Sequence, residues 1–496
     1  MAPYRRNDER QRNDEERPLL TTEGERNSYA DHEEPQEITF SDEADDNPKK
    51  WSSRKRMVNV FIIGLMAILT PLASSMFTPG ITQIADDLKA PETSIIATTT
   101  GFVILMGIGP LILAPLSETF GRRLVYIVSF SIFSVLQIPS ALAPNAATLV
   151  AVRTISGFFG SVGLANGGGT INDMYEPYER ATIFGWYLLG PLLGPSLGPL
   201  FGGLIVSRLG WRWIYWVLLI VCTFNTTIGY FFLRETYAPV ILAQKRARLI
   251  SKNPDSKYTF AGQDDRPITA KLRQSIKRPI VIFIQPIVLC MSLWQALIFG
   301  TTYSIFTNLQ AIFSKAPYNF NSEQIGLLYL APGLGFILSV RLIIPRIDTV
   351  YNQLTEKNNG KAKPEFRLPL ANIGSVLVPI ALFWFAWTVE YRLHWAICIS
   401  ATFVYGIGQV VMFNTIQNYY IDSFSEYAAS AIAGGSVFRS FVGGVVPLFA
   451  PGMFDKLGYG WGISVFAFLS VAIGPAPLFF YYYGPRIRER FPLTLD

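Results

Sequence analysis

The chain has 496 residues, of which 50% are hydrophobic and 14% aromatic, and its formal net charge is +6. Residues 1–50 hold 15 of the 36 acidic residues and 8 of the 42 basic ones, so the rest of the chain carries a net charge of +13. A basic balance of this kind usually indicates nucleic acid or a membrane as partner. The basic residues stand between long apolar runs and form no stripe with interleaved aromatics, so we exclude nucleic acid and expect a lipid bilayer.

Twelve apolar runs follow one another along the chain, each near the 20 residues that cross a bilayer as a helix. We number them as spans 1 to 12: 57–78, 95–116, 124–143, 146–170, 181–206, 213–233, 280–304, 325–345, 368–389, 394–418, 428–453 and 461–483. The predicted fold class is an all-α membrane protein with twelve transmembrane helices. The segment before span 1, residues 1–56, is rich in charge and poor in apolar residues, which predicts a disordered cytosolic tail.

Lys and Arg are distributed unevenly between the loops. The 234–278 loop carries eleven of them and the 346–367 loop five, whereas the six loops of the other side carry six altogether. Because cytosolic loops hold the excess of Lys and Arg, we expect both termini and the central loop to be cytosolic. The expected location is the plasma membrane. The vacuolar membrane is the alternative, since Glu15 precedes Leu19-Leu20 as in an acidic dileucine sorting signal.

The two halves of the chain resemble each other. "NDMYEPYERA" follows span 4 and "IDSFSEYAAS" follows span 10, which aligns Asp173 with Asp422 at an offset of 249. Leu209-Gly210 after span 5 aligns with Leu457-Gly458 after span 11 at an offset of 248. Two matches at nearly one offset predict pseudo-symmetric six-helix halves, an arrangement typical of transporters that rock around a central site. The predicted domains are an N-terminal tail (1–56), a first bundle (57–233), a central loop (234–279), a second bundle (280–483) and a C-terminal cytosolic tail (484–496).

Span 5 contains three Gly-Pro pairs at four-residue intervals: Gly190-Pro191, Gly194-Pro195 and Gly198-Pro199. Each proline removes one helical hydrogen bond and frees the carbonyl four residues earlier. Inside a membrane bundle, neighbouring helices, hydroxyls and water satisfy such carbonyls. Glycines four residues apart lie along one face and allow another helix to approach closely. By itself the pattern is equally typical of a bent, tightly packed helix.

Longer motifs resemble those of a known family. The positions Gly185, Gly194, Gly198-Pro199 and Gly202-Gly203 match the helix-5 antiporter motif of drug-exporting major facilitator transporters. "APLSETFGRR" (114–123) resembles the loop after helix 2 of that family, with Gly121, Arg122 and Arg123 as matches and Glu118 in place of Asp. "RTISGF" (153–158) resembles the helix-4 motif, with Ser156 in place of Gln. "NPKKW", "RETYAPVIL" and "FRLPL" are similar to segments of the fungal twelve-helix drug:proton antiporter group.

The resemblance implies the major facilitator fold, in a protein that we expect to be monomeric. It also implies export of small lipophilic molecules (a drug, toxin or secondary metabolite), in exchange for protons, by alternating access. The candidate coupling and gating residues are Glu118, Arg122, Arg123, Arg153, Asp173, Gly194, Gly198, Pro199 and Gly202. We expect Arg122 or Arg123 to pair with an acid at another helix end and to hold the halves together when the cytosolic side is closed. Arg153 is linked in related exporters to proton coupling; alternatively it snorkels to the membrane interface.

Polar and aromatic residues inside the spans are the candidates for a substrate cavity: Asn166, Trp294, Gln295, Tyr303, Phe306, Gln409, Asn414 and Gln417. Any one of the polar residues is alternatively an interhelical hydrogen-bond partner. Aromatics with few charges suit bulky, lipophilic substrates. Because no carboxylate lies in the middle of a span, neutral or weakly charged molecules are favoured over polyamines. We interpret Arg439, in span 11, as a structural charge paired with an acid or a backbone carbonyl.

The sequence shows no phosphate-binding glycine loop, no metal-ligand cluster and no nucleophile–base set. We therefore expect no cofactor, no metal and no enzymatic activity. Two alternatives stay open: a proton-coupled polyamine or nutrient transporter, and a nutrient sensor built on a transporter scaffold. Sensors usually carry long signalling segments, whereas the central loop here has 45 residues, which favours transport.

Overall fold

The computed structural model describes residues 36–40, 46–252, 258–260, 262, 266–424 and 428–491, with the backbone alone for 36, 177–182 and 185. The sorting signal at Glu15 and Leu19-Leu20 lies outside the described residues. So does most of the tail that we expect to be disordered.

The first half contains spans 1 to 6. A 3-10 turn, η1 (Pro48–Lys50), precedes them, and a second, η2 (Thr78–Gly80), lies within span 1. Span 1 comprises α1 (Ser53–Ser75) and α2 (Ile81–Asp87), and span 2 is α3 (Glu92–Phe120). Span 3 comprises α4 (Arg122–Val135) and α5 (Gln137–Ala141), and span 4 comprises α6 (Ala146–Gly160) and α7 (Val162–Met174). Span 5 is α8 (Pro177–Leu209) and span 6 is α9 (Arg212–Phe232).

The central loop carries α10 (Ala238–Lys252) and α11 (Ile268–Phe283), and the second half follows. Span 7 is α12 (Pro286–Phe313); span 8 comprises α13 (Ser322–Leu328) and α14 (Leu330–Leu342) and continues as α15 (Ile344–Lys357). Span 9 comprises η3 (Pro364–Leu370) and α16 (Ala371–Glu390), and span 10 is α17 (Trp395–Ser423). Spans 11 and 12 lie in α18 (Ala428–Ile473) and α19 (Ala476–Arg490).

The described chain has eleven helical segments long and apolar enough to cross a bilayer, and the last of them counts twice. That segment, Ala428–Arg490, has 63 residues, about three times the length that one crossing needs. It turns at Gly458, where φ is 73° and ψ 170°, values that only glycine adopts readily. Gly210, its aligned partner between spans 5 and 6, has φ 86° and ψ 164°. The twelve-span fold and the repeat are therefore confirmed.

The buried hydrophobic residues form one large cluster in each half. The first extends from Trp51 to Leu233 and the second from Ile282 to Phe480. Tyr303, on span 7, is the one buried residue of the second half, among those described, that belongs to the first cluster. Tyr303 is therefore one of the contacts between the halves.

A strand pair links the N-terminal tail to the central loop. Strand β1 (Gln36–Ile38) pairs in parallel with strand β2 (Tyr258–Phe260), and Ile38 and Tyr258 bury side chains against Leu242 of α10. Residues 36–38 thus form a strand where the sequence predicts disorder, because α10 offers them an apolar surface.

The end of the bundle that carries this strand pair is called the terminal end. The even-numbered spans run towards it, and the opposite end is the far end.

Candidate functional site

Span 5 packs against span 1 backbone to backbone. Its helix continues through Pro191, Pro195 and Pro199. A Cβ atom on Gly198 would lie 2.5 Å from the carbonyl oxygen of Leu72, and one on Gly202 only 1.7 Å from that of Met76. Real Cβ atoms do not approach a carbonyl oxygen this closely. The glycine spacing is therefore required by the contact with span 1.

A hydroxyl from span 1 satisfies one of the carbonyls that the prolines leave free. Pro199 has no N–H to donate to the carbonyl of Pro195, four residues earlier. Ser75 Oγ donates to that oxygen at 3.0 Å. A Cβ atom on Gly198 would lie 2.3 Å from the same hydroxyl, so the hydroxyl occupies the space that the glycine leaves.

The far end of span 5 also touches the second half. A Cβ atom on Gly203 would lie 2.3 Å from the carbonyl oxygen of Ser322, and one on Gly326 would lie 2.7 Å from that of Pro199. Arg208 and Glu323 extend this contact with an ion pair of 3.2 Å. Residues 199–208 of span 5 therefore lie between span 1 and span 8, where the two halves meet.

Further hydrogen bonds between the halves lie in the middle and at the far end of the bundle. The pairs are Ser74 Oγ with Tyr303 Oη at 3.1 Å, Thr100 Oγ1 with Gly444 O at 2.7 Å, and Ser322 Oγ with Pro79 O at 3.1 Å. Tyr303, a predicted cavity residue, thus joins spans 1 and 7. The conformation is one in which the halves are in contact at the far end.

Arg122 is the centre of a charged network at the terminal end. Its side chain is 7% exposed, and Nε lies 3.3 Å from Asp173 Oδ2. Glu235 accepts the backbone N–H of Arg122 at 2.9 Å and that of Arg123 at 3.1 Å. Glu118 is 53% exposed and lies 4.0 Å from Arg122. Arg122 does pair with acids at other helix ends. These acids, Asp173 and Glu235, follow spans 4 and 6 of the first half. In this conformation the loop joins spans 2, 4 and 6 rather than the two halves.

Glu235 was not among the predicted gating residues. It stands directly after span 6, in "RETYAPVIL", where the carboxylate reaches the loop before span 3. A Cβ atom on Gly121 would lie 2.4 Å from Glu235 Oε2, and the φ of Gly121 is +98°. The loop motif therefore needs glycine at this position both for its backbone conformation and for the approach of the carboxylate.

Arg153 lies in the interior of the first half. It is 1% exposed, and Nη2 donates to the carbonyl of Ala73 at 3.0 Å. The guanidinium carbon lies 4.8 Å from the ring centre of Phe77, 4.9 Å from that of Phe102 and 5.7 Å from that of Tyr215. The alternative that Arg153 snorkels to the interface is wrong, because aromatic faces replace its hydration inside the bundle.

Several predicted cavity residues contact other side chains instead. Asn166 is fully buried and accepts a hydrogen bond from Ser117 at 3.0 Å, which places it beside the Arg122 network. Phe306 packs edge-on against Tyr329. Gln409 accepts from Thr302 at 3.3 Å, so it links spans 10 and 7. For these three residues the structure favours packing or interhelical hydrogen bonding.

The remaining candidates lie on spans 7 and 10. Trp294 Nε1 and Gln295 Nε2 are buried, and neither has a hydrogen-bond partner among the described residues. Asn414 accepts from Asn418 at 2.8 Å and, like Gln417, is half-buried. Span 7 therefore carries two buried donors without partners, and span 10 carries two half-buried amides.

Arg439 differs from our interpretation of it. Its Nε and Nη1 atoms are buried and have no hydrogen-bond partner in the described part of the chain. The guanidinium carbon lies 5.1 Å from the ring centre of Phe299 and 4.7 Å from that of Phe413. Among the described residues, Arg439 forms no ion pair. We expected Arg439 to pair with an acid or a backbone carbonyl, and its described neighbours are two aromatic rings.

Comparison with known proteins agrees with this architecture. Residues 63–447 match the profile of the Major Facilitator Superfamily. The chain is 38% identical over 447 residues to the MFS transporter cpaT of Aspergillus oryzae, covering 89% of each chain. It is 36% identical over 456 residues to the efflux pump radE of Floropilus chiversii, covering 90% of this chain and 84% of that one.

A solved structure shows the same fold. The proton:xylose symporter XylE superposes with a TM-score of 0.61 at 14% sequence identity, covering 87% of this chain and 96% of that one. The profile spans most of the chain, and relatives above 30% identity cover nearly all of it. This chain is therefore a member of the major facilitator superfamily, and it is a membrane transporter rather than an enzyme.

Proposed function

We propose that the protein exports small lipophilic molecules, in exchange for protons, by alternating access. The observation that carries the proposal is the packing of Gly198 and Gly202 against the span 1 backbone and of Gly203 against span 8. When the halves rock, span 5 must part from span 8, while its contact with span 1 keeps it within the first half. A relative named as an efflux pump, radE, supports the direction of transport.

The orientation completes the proposal. The Lys and Arg excess of the 234–278 loop supports a cytosolic position for the terminal end. Contacts between the halves then lie towards the outer surface, and the substrate enters from the cytosol, as an exporter requires. We propose the plasma membrane as the location and a monomer as the working unit. The moving bundles are 57–233 and 280–483, with 234–279 as the joint.

Proton exchange involves the network at the terminal end in this proposal. Asp173 and Glu235 hold Arg122 through their carboxylates, and a carboxylate that takes up a proton loses its charge. Protonation of Asp173 would weaken its hold on Arg122 and loosen the connection between the start of span 3 and the end of span 4. Arg153 lies in the same half and couples this change to span 1 through the Ala73 carbonyl.

Export is tested in cells that lack or express the protein. Mass spectrometry of cell extracts and medium measures the inside-to-outside ratio of lipophilic metabolites. We expect expression to lower this ratio for at least one metabolite and a protonophore to restore it. If no metabolite changes its ratio, export is contradicted. If export continues against a concentration gradient after the proton gradient is abolished, proton exchange is contradicted while export stands.

A further inference from the structure

Arg439 is a cation near the middle of the membrane. It stands eleven residues after the start of α18 at Ala428, which at about 1.5 Å per residue is about 16 Å along the helix. That is about half of a hydrocarbon core of ~30 Å. A charge at this depth is costly and is by default a functional hypothesis. The described partners of Arg439 are the rings of Phe299 and Phe413, from spans 7 and 10.

The two rings satisfy only part of what the guanidinium needs. Aromatic faces attract the positive charge. The five N–H groups point outwards in the plane of the guanidinium, away from any ring that covers its face. Nε and Nη1 lack acceptors in the described structure. Each of the two edges at which a guanidinium binds a carboxylate contains one of these nitrogens.

Arg439, Phe299 and Phe413 form a cluster that lies where the halves meet. Ser440, the neighbour of Arg439, packs against span 2: a Cβ atom on Gly107 would lie 2.3 Å from Ser440 Cβ. Phe299 packs against the hydrophobic cluster of the first half. Arg439 and both rings keep partial exposure.

Two unpartnered N–H groups stand on span 7, close to Phe299 in the chain. Gln295 Nε2 lies one helical turn before Phe299, and Trp294 Nε1 is next to it in sequence; both lack partners among the described residues. The acids of the second half that the structure pairs lie at helix ends. Asp422 binds Arg367, Glu365 binds Arg488 and Glu390 accepts from Gly460. The site therefore offers positive charge and unpartnered N–H groups, and the three carboxylates just named are held by other partners.

We propose that spans 7, 10 and 11 bind the acidic group of a lipophilic substrate, a carboxylate or a comparable pair of acidic oxygens, with Arg439 as its charge partner. Phe299 and Phe413 flank the charge and contact the aromatic or aliphatic body of the substrate. This inference rests on the proposed function, and it specifies the substrate class. It also excludes polyamines from this site, because their charge has the same sign as that of Arg439.

The test uses two probes that differ in charge alone, 1-pyrenebutyrate and its methyl ester. The full-length protein is placed in lipid nanodiscs at pH 7.5, and energy transfer from tryptophan to pyrene measures binding, with empty nanodiscs as background. We expect the wild type to bind the acid at least tenfold more tightly than the ester. Arg439→Gln should remove this difference and leave ester binding unchanged. Arg439→Lys should keep part of it, and Lys315→Gln, on an exposed loop, should behave as wild type.

Three results would overturn the proposal. In the first, the wild type does not bind the acid. In the second, it binds acid and ester equally. In the third, Arg439→Gln binds the acid as tightly as the wild type does. Metabolite export from expressing cells is a separate measurement: if export persists while acid and ester bind alike, the proposed function stands and the acidic substrate class does not. If Arg439→Gln elutes as aggregate, the comparison of Arg439→Lys with the wild type decides.

Discussion

Arg367 donates from Nε to Asp422 Oδ2 at 2.8 Å, and the aligned first half repeats this pairing with Arg122 and Asp173 at 3.3 Å. Asp173 and Asp422 occupy the same position after spans 4 and 10. Each arginine stands where span 3 or span 9 begins. Both halves therefore fix the end of their fourth helix to the start of their third by a charge pair, which the alignment of the aspartates alone did not reveal.

Asp173→Asn should destabilise the protein, because it leaves Arg122 without its close carboxylate partner in a 7% exposed site. Breaking a buried pair from one side costs about 3–5 kcal/mol. Glu118→Gln is the matched control: Glu118 is 53% exposed, and surface pairs contribute about 0–1 kcal/mol. Thermal unfolding in detergent, followed by tryptophan fluorescence, measures both. Equal unfolding temperatures for the two variants would contradict the central place of Asp173.

Gly198→Ala should impair transport although it adds a single methyl group. The new Cβ atom would lie 2.5 Å from the Leu72 carbonyl oxygen, so spans 1 and 5 must separate. Overpacking typically costs about 1–3 kcal/mol, which a twelve-helix protein tolerates, so we expect normal delivery to the membrane and reduced export. Gly64→Ala is the control, since a Cβ atom there meets nothing within 4 Å. Normal export by Gly198→Ala would show that the close contact is not needed for transport.

Tyr303→Phe should shift the protein away from the described conformation, because it removes the hydroxyl bonded to Ser74 of the other half. Interhelical hydrogen bonds in membranes contribute about 0.6 kcal/mol on average and about 1.7 at most, so the population ratio should change roughly three- to twentyfold. Spin labels at the exposed Lys89 and Lys315, in loops of different halves, report the far-end distance.

The control for this prediction is Tyr318→Phe, whose hydroxyl donates to Leu393 within the second half. It should leave the distance distribution unchanged. If both variants give the wild-type distribution, the Ser74–Tyr303 bond does not hold the halves together.

The orientation is testable with single cysteines at exposed positions. Ser251→Cys on α10 should resist an impermeant thiol reagent in intact cells and react after permeabilisation. Lys315→Cys, at the far end, should react in intact cells. The native cysteines Cys222 and Cys398 are buried and Cys290 is half-buried, so the unchanged protein gives the background. Labelling of Ser251→Cys from outside would refute the cytosolic placement of the central loop.

Much of the fold was predictable because membrane spans and repeats depend on the local sequence. Twenty-residue apolar runs gave the helices, and the Leu-Gly pairs at 209–210 and 457–458 gave the symmetry, since glycine is needed at both turns. The glycine spacing of span 5 predicted a close helix. The spacing did not identify the partners, which are span 1 at Gly198 and span 8 at Gly203, because tertiary packing determines them.

The candidate site was less predictable, for a physical reason. A buried charge usually has an acid or carbonyl as partner, and sequence reasoning assigned one to Arg439. The actual neighbours, Phe299 and Phe413, lie 140 and 26 residues away in the chain and carry no charge that would identify them. Likewise Asn166 was expected in a cavity, and it contacts Ser117 instead. Polarity within a span indicates that a residue needs a partner without showing which one it has.

The strand pair of residues 36–38 and 258–260 constrains how far α11 can move away from α10. The pair rests on α10, which continues from the first half, whereas α11 packs against spans 2 and 11. Residues 261–267 are the chain between Phe260 and the start of α11. An extended chain spans at most about 3.6 Å per residue, so this link reaches roughly 25–29 Å. This length is the largest possible distance between Phe260 and Ile268. A movement that needs a larger distance must first separate strand β1 from the central loop.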